Sequence, residues 1–138
     1  MNCHLCHERS THFLPLKSIS SGPLKDFLHV KGPKGCTRLP DGTVGVHLCK
    51  IHAAIVLDHL RAERQGEDSL LVLAEEWADG RPGYTTRLTH RVVEGVVREA
   101  AGDKRGMGAP SFVPAMMKRA KKALDETKHL LPEELLVV

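Results

Sequence analysis

Cys49-Lys50-Ile51-His52-Ala53-Ala54-Ile55-Val56-Leu57-Asp58-His59-Leu60-Arg61-Ala62-Glu63-Arg64 is the stretch whose reading decides the fold. Its apolar residues recur at helical spacing. Ile51, Ala54 and Ile55, with Ala53, Val56, Leu57 and Leu60 beside them, make a broad apolar face. Gly66 supplies a stop just beyond it. Cys49 and His52 stand three residues apart at the start of this helix. Side chains at that spacing on a first turn lie on nearly the same side, so both can face one ion. The dipole at the helix start also favours a thiolate at Cys49.

A second pair of the same spacing lies at the chain's beginning, in Cys3-His4-Leu5-Cys6. A two-residue spacer lets both sulfurs turn toward one point. Three cysteines and one histidine complete the tetrahedral donor set that zinc prefers, and four protein ligands leave no position open for water. The expected cofactor is therefore one structural zinc ion on Cys3, Cys6, Cys49 and His52. Other donors compete on spacing alone: His7 for Cys6, and His47 or Cys36 for one of the later pair. Cys36 otherwise reads as a buried or loop thiol. With few aromatics nearby, loss of the ion is expected to unfold this half of the chain.

Outward from these pairs, 26–31 (Asp-Phe-Leu-His-Val-Lys) and 43–48 (Thr-Val-Gly-Val-His-Leu) read as short strands. Gly32-Pro33, Lys34-Gly35 and Pro40-Asp41-Gly42 give turn signals between them. The pattern predicts a hairpin with a long irregular loop. Composition changes at Gln65-Gly66-Glu67-Asp68: all four cysteines and seven of the nine histidines precede it. Beyond it three helices are predicted. Ser69 caps the first, through Leu70, Leu73, Ala74 and Trp77, and Gly80-Arg81-Pro82-Gly83 ends it. The second runs from Arg87 to Ala101, with Leu88, Val92, Val93, Val96, Val97 and Ala100 on one stripe. Residues 102–109 hold three glycines and read as a loop. The third starts near Pro114, which a first turn tolerates, and stops before Pro132. Its stripe is Val113, Met116, Met117, Ala120, Leu124, Thr127 and Leu131. The closing Leu135-Leu136-Val137-Val138 is an apolar tail that docks either on the core or on a second copy.

Knuckle, hairpin, then a helix whose first turn gives the last two ligands: this order over residues 1–65 resembles a treble-clef zinc finger. The resemblance implies a treble-clef-like zinc module at 1–66; with the composition break and the helical patterns beyond it, the expected fold is α+β, the second part being a helical module with a basic face at 67–138. One branch of that group, the HNH endonucleases, resembles the layout further. It implies His29 as the base that activates water and His59, with Asp58, as a holder of a divalent ion at the scissile phosphate. The sequence departs from that family's pattern at three places. Leu28 stands where an acid or histidine usually precedes the base, Thr43-Val44-Gly45-Val46 lacks the usual asparagine, and Ala53 follows the last ligand.

Charge is unevenly spread. The chain carries 20 Lys/Arg against 17 Asp/Glu, yet residues 81–122 hold ten bases against three acids, while 67–79 hold five acids and no base. Arg81, Arg87, Arg91 and Arg98 surround the second helix, Lys104 and Arg105 sit in the glycine loop, and Lys118, Arg119, Lys121 and Lys122 lie on the polar side of the third. Aligned, these faces make an electropositive surface for phosphates or for an acidic protein. Aromatics are 4% of the chain, which argues against base stacking on single strands as the main business. No phosphate-binding Gly-x-x-x-x-Gly-Lys-Ser/Thr loop and no nucleophile motif is present. No apolar run reaches the roughly 18 residues of a membrane span, and the N-terminus does not read as a signal peptide, so the expected location is the cytosol. The reading is a binding protein acting on nucleic acid or on a nucleic-acid-handling protein machine, as regulator or inhibitor. An HNH-like nuclease and a protein–protein adaptor are the alternatives.

Overall fold

The structure, a computed structural model, describes residues 1–19, 22–29, 35–103, 113–129 and 135–137. Four strands and five helices follow one another as β1 (His12–Pro15), α1 (Pro23–Leu28), β2 (Thr37–Arg38), β3 (Val44–Leu48), α2 (Lys50–Gln65), α3 (Leu70–Ala78), α4 (Thr86–Ala100), α5 (Val113–His129) and β4 (Leu136–Val137). The protein is thus mixed α+β.

The strands form one small antiparallel sheet in the order β2-β3-β1-β4. β3 falls within the predicted strand at 43–48, but its main partner is β1, paired His12 to Leu48 and Pro15 to Gly45. The predicted strand at 26–31 is corrected: its described part is the end of α1. Pro23 occupies the first helical position, where its fixed φ helps and its missing N–H costs nothing. Leu24, Phe27 and Leu28 then fall at i, i+3 and i+4 and bury one face. His29 closes the turn in the left-handed conformation (φ 47°), its N–H bonded to the Lys25 carbonyl at 2.8 Å. Val30 and Lys31 lie outside the described residues.

α2 is the centre of the molecule. Every residue from Ile51 to Leu60 is buried, because α3, α4 and α5 all pack against this helix. A helix apolar nearly all round is a core helix, and the broad face seen in the sequence has this cause. Gly66 ends it at φ 68°, with the Glu67 N–H reaching back to the Ala62 carbonyl at 2.8 Å, a closure that needs a left-handed residue.

Ser69 caps α3 as predicted, its hydroxyl accepting from the Val72 N–H. On α4 Val93, Val96 and Val97 of the predicted stripe are buried, but Leu88 is 40% exposed and Thr89 and His90 are buried in its place. Thr85 caps this helix through the Leu88 N–H. On α5 Met116, Ala120, Ala123 and Thr127 face the core. The tail docks on the core: Leu135 is buried and β4 extends the sheet beside β1. Val113 takes part in α5 but its side chain, like Leu131 in the predicted stripe, is not described.

A buried polar junction ties α2, α3 and α5 together. Asp58 accepts from the Leu70 N–H at 2.7 Å with one oxygen and from Arg119 at 2.8 Å with the other. Arg119 also donates to the Asp68 carbonyl. Burial pushes the Asp58 carboxyl above its ordinary pKa, against the downward pull of Leu70 and Arg119. The junction needs both carboxylate oxygens as acceptors. Asp58→Ala leaves a buried N–H and a guanidinium without partners and is expected to cost about 3 kcal/mol. Asp58→Asn keeps one acceptor but turns its amide NH2 toward either the Leu70 N–H or the Arg119 guanidinium, and is expected to cost nearly as much. An Asn variant as stable as the parent in urea unfolding would contradict this reading.

Candidate metal centre

The first ten residues fold into a tight knuckle. The Cys3 N–H bonds the Glu8 carbonyl at 2.8 Å, the Ser10 N–H bonds the Met1 carbonyl at 2.9 Å, and Asn2 pairs with Arg9. The His4 N–H reaches the His47 carbonyl at 2.7 Å and the Thr11 N–H reaches that of Leu48 at 2.9 Å, so the knuckle is docked on the end of β3. β3 runs straight into Cys49, whose extended backbone (ψ 173°) makes it the N-cap of α2. The two halves of the predicted site are brought face to face by this one strand.

Cys3, Cys6, Cys49 and His52 place their donor atoms within 4.8 Å of one another. The Cys6 and Cys49 sulfurs are 3.8 Å apart, and His52 Nδ1 lies 3.4, 3.7 and 3.2 Å from the sulfurs of Cys3, Cys6 and Cys49. A tetrahedron with metal–sulfur bonds of about 2.3 Å and a metal–nitrogen bond of about 2.0 Å has edges of roughly 3.8 and 3.5 Å. The four distances above are close to these, so the four residues could hold one metal ion. The Leu5 N–H points at the Cys3 sulfur at 3.4 Å, which steadies a thiolate there. Cys3, Cys49 and His52 are buried and Cys6 is half-buried.

The electrostatics reflect three thiols and an imidazole crowded together. The hydrogen bond from Cys49 holds the Cys3 thiol at about 3, far below the ordinary thiol range, while Cys49 itself is pushed well up by Cys3 and by burial. Burial pulls His52 down, but the Cys3 sulfur and Glu94 outweigh it and raise the ring to about 9. A dication would take the place of these shared protons. His52 Nε2, which has no hydrogen-bond partner among the described residues, faces the Glu94 carboxylate on α4 at 3.7 Å. With Nδ1 on a metal, Nε2 carries the proton and the carboxylate orients the ring from behind. Glu94 was not singled out by sequence; nothing in its surroundings on α4 distinguishes it from a solvated acid.

The competing donors stand elsewhere. His7 is exposed. The His47 ring bonds the Ser10 hydroxyl at 3.2 Å and meets Phe13 edge-on at 5.1 Å. Cys36 is half-buried, outside the cluster, its thiol raised by burial.

His29 and His59, the pair implied by the nuclease resemblance, share no partner. His29 is exposed at the end of α1, near His90, and is not on a strand. His59 is buried: Nδ1 accepts from the Ser69 hydroxyl at 2.8 Å and Nε2 donates to Glu63 at 2.9 Å. Of the basic residues, Arg87, Arg91, Lys118, Lys121 and Lys122 are exposed and Arg98 is half-buried. Arg119 is engaged with Asp58, and Arg81 lies over the Trp77 ring at 4.5 Å. Lys104 and Arg105 lie outside the described residues.

No protein-family model, curated protein or solved structure matches the chain. Fold and site together define an α+β protein with, among the described residues, five helices, a small antiparallel sheet and a candidate metal centre that joins its N-terminal knuckle to its central helix. No helix among the described residues is long and apolar enough to cross a membrane.

Proposed function

We propose that this is a small zinc-stabilised binding protein of treble-clef type, acting on nucleic acid or on a protein machine that handles it, as regulator or inhibitor. The observation that carries the reading is the closed donor set of Cys3, Cys6, Cys49 and His52. Three thiolates and an imidazole suit zinc better than the harder cations, which take oxygen ligands. Four protein donors, three of them buried, leave no position for a substrate, so the metal's work is to hold the knuckle against α2.

Nucleic acid as the target follows from what the metal-ordered scaffold displays. Arg87 and Arg91 on α4, and Lys118, Lys121 and Lys122 on α5, are exposed cations. Phosphate contacts from such residues release counterions, so binding should weaken steeply with salt. Association of the zinc-loaded protein with duplex DNA and RNA, followed from low salt upward, tests this. If about four of these cations touch phosphates, the slope of log K against log salt is near −3.6 for B-DNA. Binding indifferent to salt, or absent at low salt beside capture of one stable protein partner, would replace this reading with the adaptor.

A further inference from the structure

We infer that the groove between the first half of α4, the metal knuckle and the end of α1 seats a phosphate group of nucleic acid. The inference rests on the nucleic-acid reading above and gives it a place. The groove holds about 670 Å³, with Leu5 of the knuckle and Phe27 of α1 as its apolar walls.

Its polar lining is cationic at one end. Arg87 and Arg91 stand one turn apart, so they share a face of α4. Both are exposed, and neither has a carboxylate partner among the described residues. Other arginines of the protein are committed: Arg61 to Glu126, Arg119 to Asp58, Arg81 to the Trp77 ring. A guanidinium's planar fork matches two phosphate oxygens.

Between the arginines His90 lines the groove. It is 7% exposed and packs edge-on against Phe27 at 5.1 Å, and its Nε2 has no hydrogen-bond partner among the described residues. That atom is shielded from solvent in this conformation, so a small turn of the ring toward the groove lets a phosphate oxygen relieve the roughly 1–3 kcal/mol that an unpartnered buried polar atom costs. The His29 ring lies 6.5 Å from that of His90, centre to centre. The start of α4 adds its dipole: Thr85 caps the Leu88 N–H, which leaves the Thr86 and Arg87 N–H groups without helical partners.

Glu94 is the one acid in the lining. It stands one turn beyond His90 and Arg91, within electrostatic reach of His90, as Asp26 also is, and its carboxylate faces His52 Nε2. The groove is therefore polar along its length, with the anion seat at the start of α4 and the acid beside the metal. Two guanidiniums at the seat argue against a cation there.

The test uses the full-length, zinc-loaded protein and two variants on exposed residues. One is Arg87→Gln with Arg91→Gln; the other is Lys118→Gln with Lys121→Gln and Lys122→Gln. Duplex binding is measured against salt, and histidine ring resonances are followed during titration with inorganic phosphate. The arginine variant is expected to bind about ten-fold more weakly, with a salt slope smaller by about two. Phosphate is expected to move the His90 and His29 resonances in the parent and not in that variant. If the arginine variant binds duplex like the parent while the lysine variant loses binding, the groove assignment is overturned and the nucleic-acid reading stands. If no nucleic acid binds at low salt yet phosphate still moves His90, the oxyanion seat stands and its nucleic-acid source is overturned. Unmoved histidines in the parent overturn the seat.

Discussion

Removal of the metal, by a strong chelator or by Cys49→Ala, is expected to abolish the cooperative fold of the N-terminal half. Structural zinc sites contribute on the order of 10 kcal/mol or more of apparent binding energy, while a whole domain is stable by only about 5–15 kcal/mol. The local arrangement explains why so much depends on the ion. Cys3 is 6% exposed and sits beside Cys49 and His52 with no disulfide to hold them. Without a dication three sulfurs and an imidazole remain packed within 4.8 Å, sharing protons. The knuckle then keeps backbone pairing to β3 and to its own turn, with the Ser10–His47 and His4–Leu28 hydrogen bonds, all of which water can replace. The consequence spreads, because Cys49 begins α2 and α2 carries the core. A fall of at least about 15 °C in thermal midpoint is expected, taking a loss of 5 kcal/mol or more at roughly 3 °C per kcal/mol. A chelated protein with an unchanged midpoint would contradict this.

Gly45→Ala is expected to be the most damaging single substitution outside the metal ligands, at about 3–5 kcal/mol. Gly45 lies in β3 opposite Pro15 of β1. A Cβ there would stand 2.2 Å from the Leu14 carbonyl oxygen, 2.8 Å from Cε1 of Phe13 and 2.8 Å from Cα of Pro15. Two of those atoms are backbone, so no rotamer change removes the clash; the strands must part. β3 also carries the His47 carbonyl that holds the knuckle and leads directly into Cys49. The variant is therefore expected to bind its metal more weakly as well as to unfold more easily. Gly42→Ala is the control. Gly42 has a positive φ of 91° but open space around its Cβ position, so only backbone strain of about 1 kcal/mol is at stake. Equal losses at the two sites, measured by urea unfolding, would show that the close approach of β1 and β3 has been misjudged.

The metal ligands and the helices were legible in the sequence because their signals are local. Two pairs of donors at a spacing of three, the apolar repeat from Ile51 to Leu60, Ser69 ahead of α3 and Gly66 behind α2 each act within one or two turns of chain. Of the sheet only β3 was legible, because the other inner strand, β1, is set by partners far along the chain. His12–Pro15 is short, ends in proline and is buried at all four residues, so it lacks the alternation that marks a half-exposed strand. Its neighbours come from 44–48 and 136–137. The misread segment at 26–31 did contain a correct signal. Pro23 followed by Leu24, Phe27 and Leu28 is a helical start and a helical spacing, overlooked in favour of the apolar run Phe27-Leu28 and Val30. The burial of His59 and the pairing of Arg119 were not legible, because their partners are set by how α3 and α5 fold back on α2: Ser69 for the one, Asp58 for the other. Glu94 and His90 acquire their roles in the same way, through the packing of α4 against the knuckle and α1.

The most direct test of the account is the metal content of purified protein, measured by elemental analysis against chain concentration, beside that of a Cys3→Ala, Cys49→Ala double variant. One zinc per chain in the parent and none in the variant is the predicted result. A parent with no bound transition metal, or a variant that keeps its zinc, would contradict it.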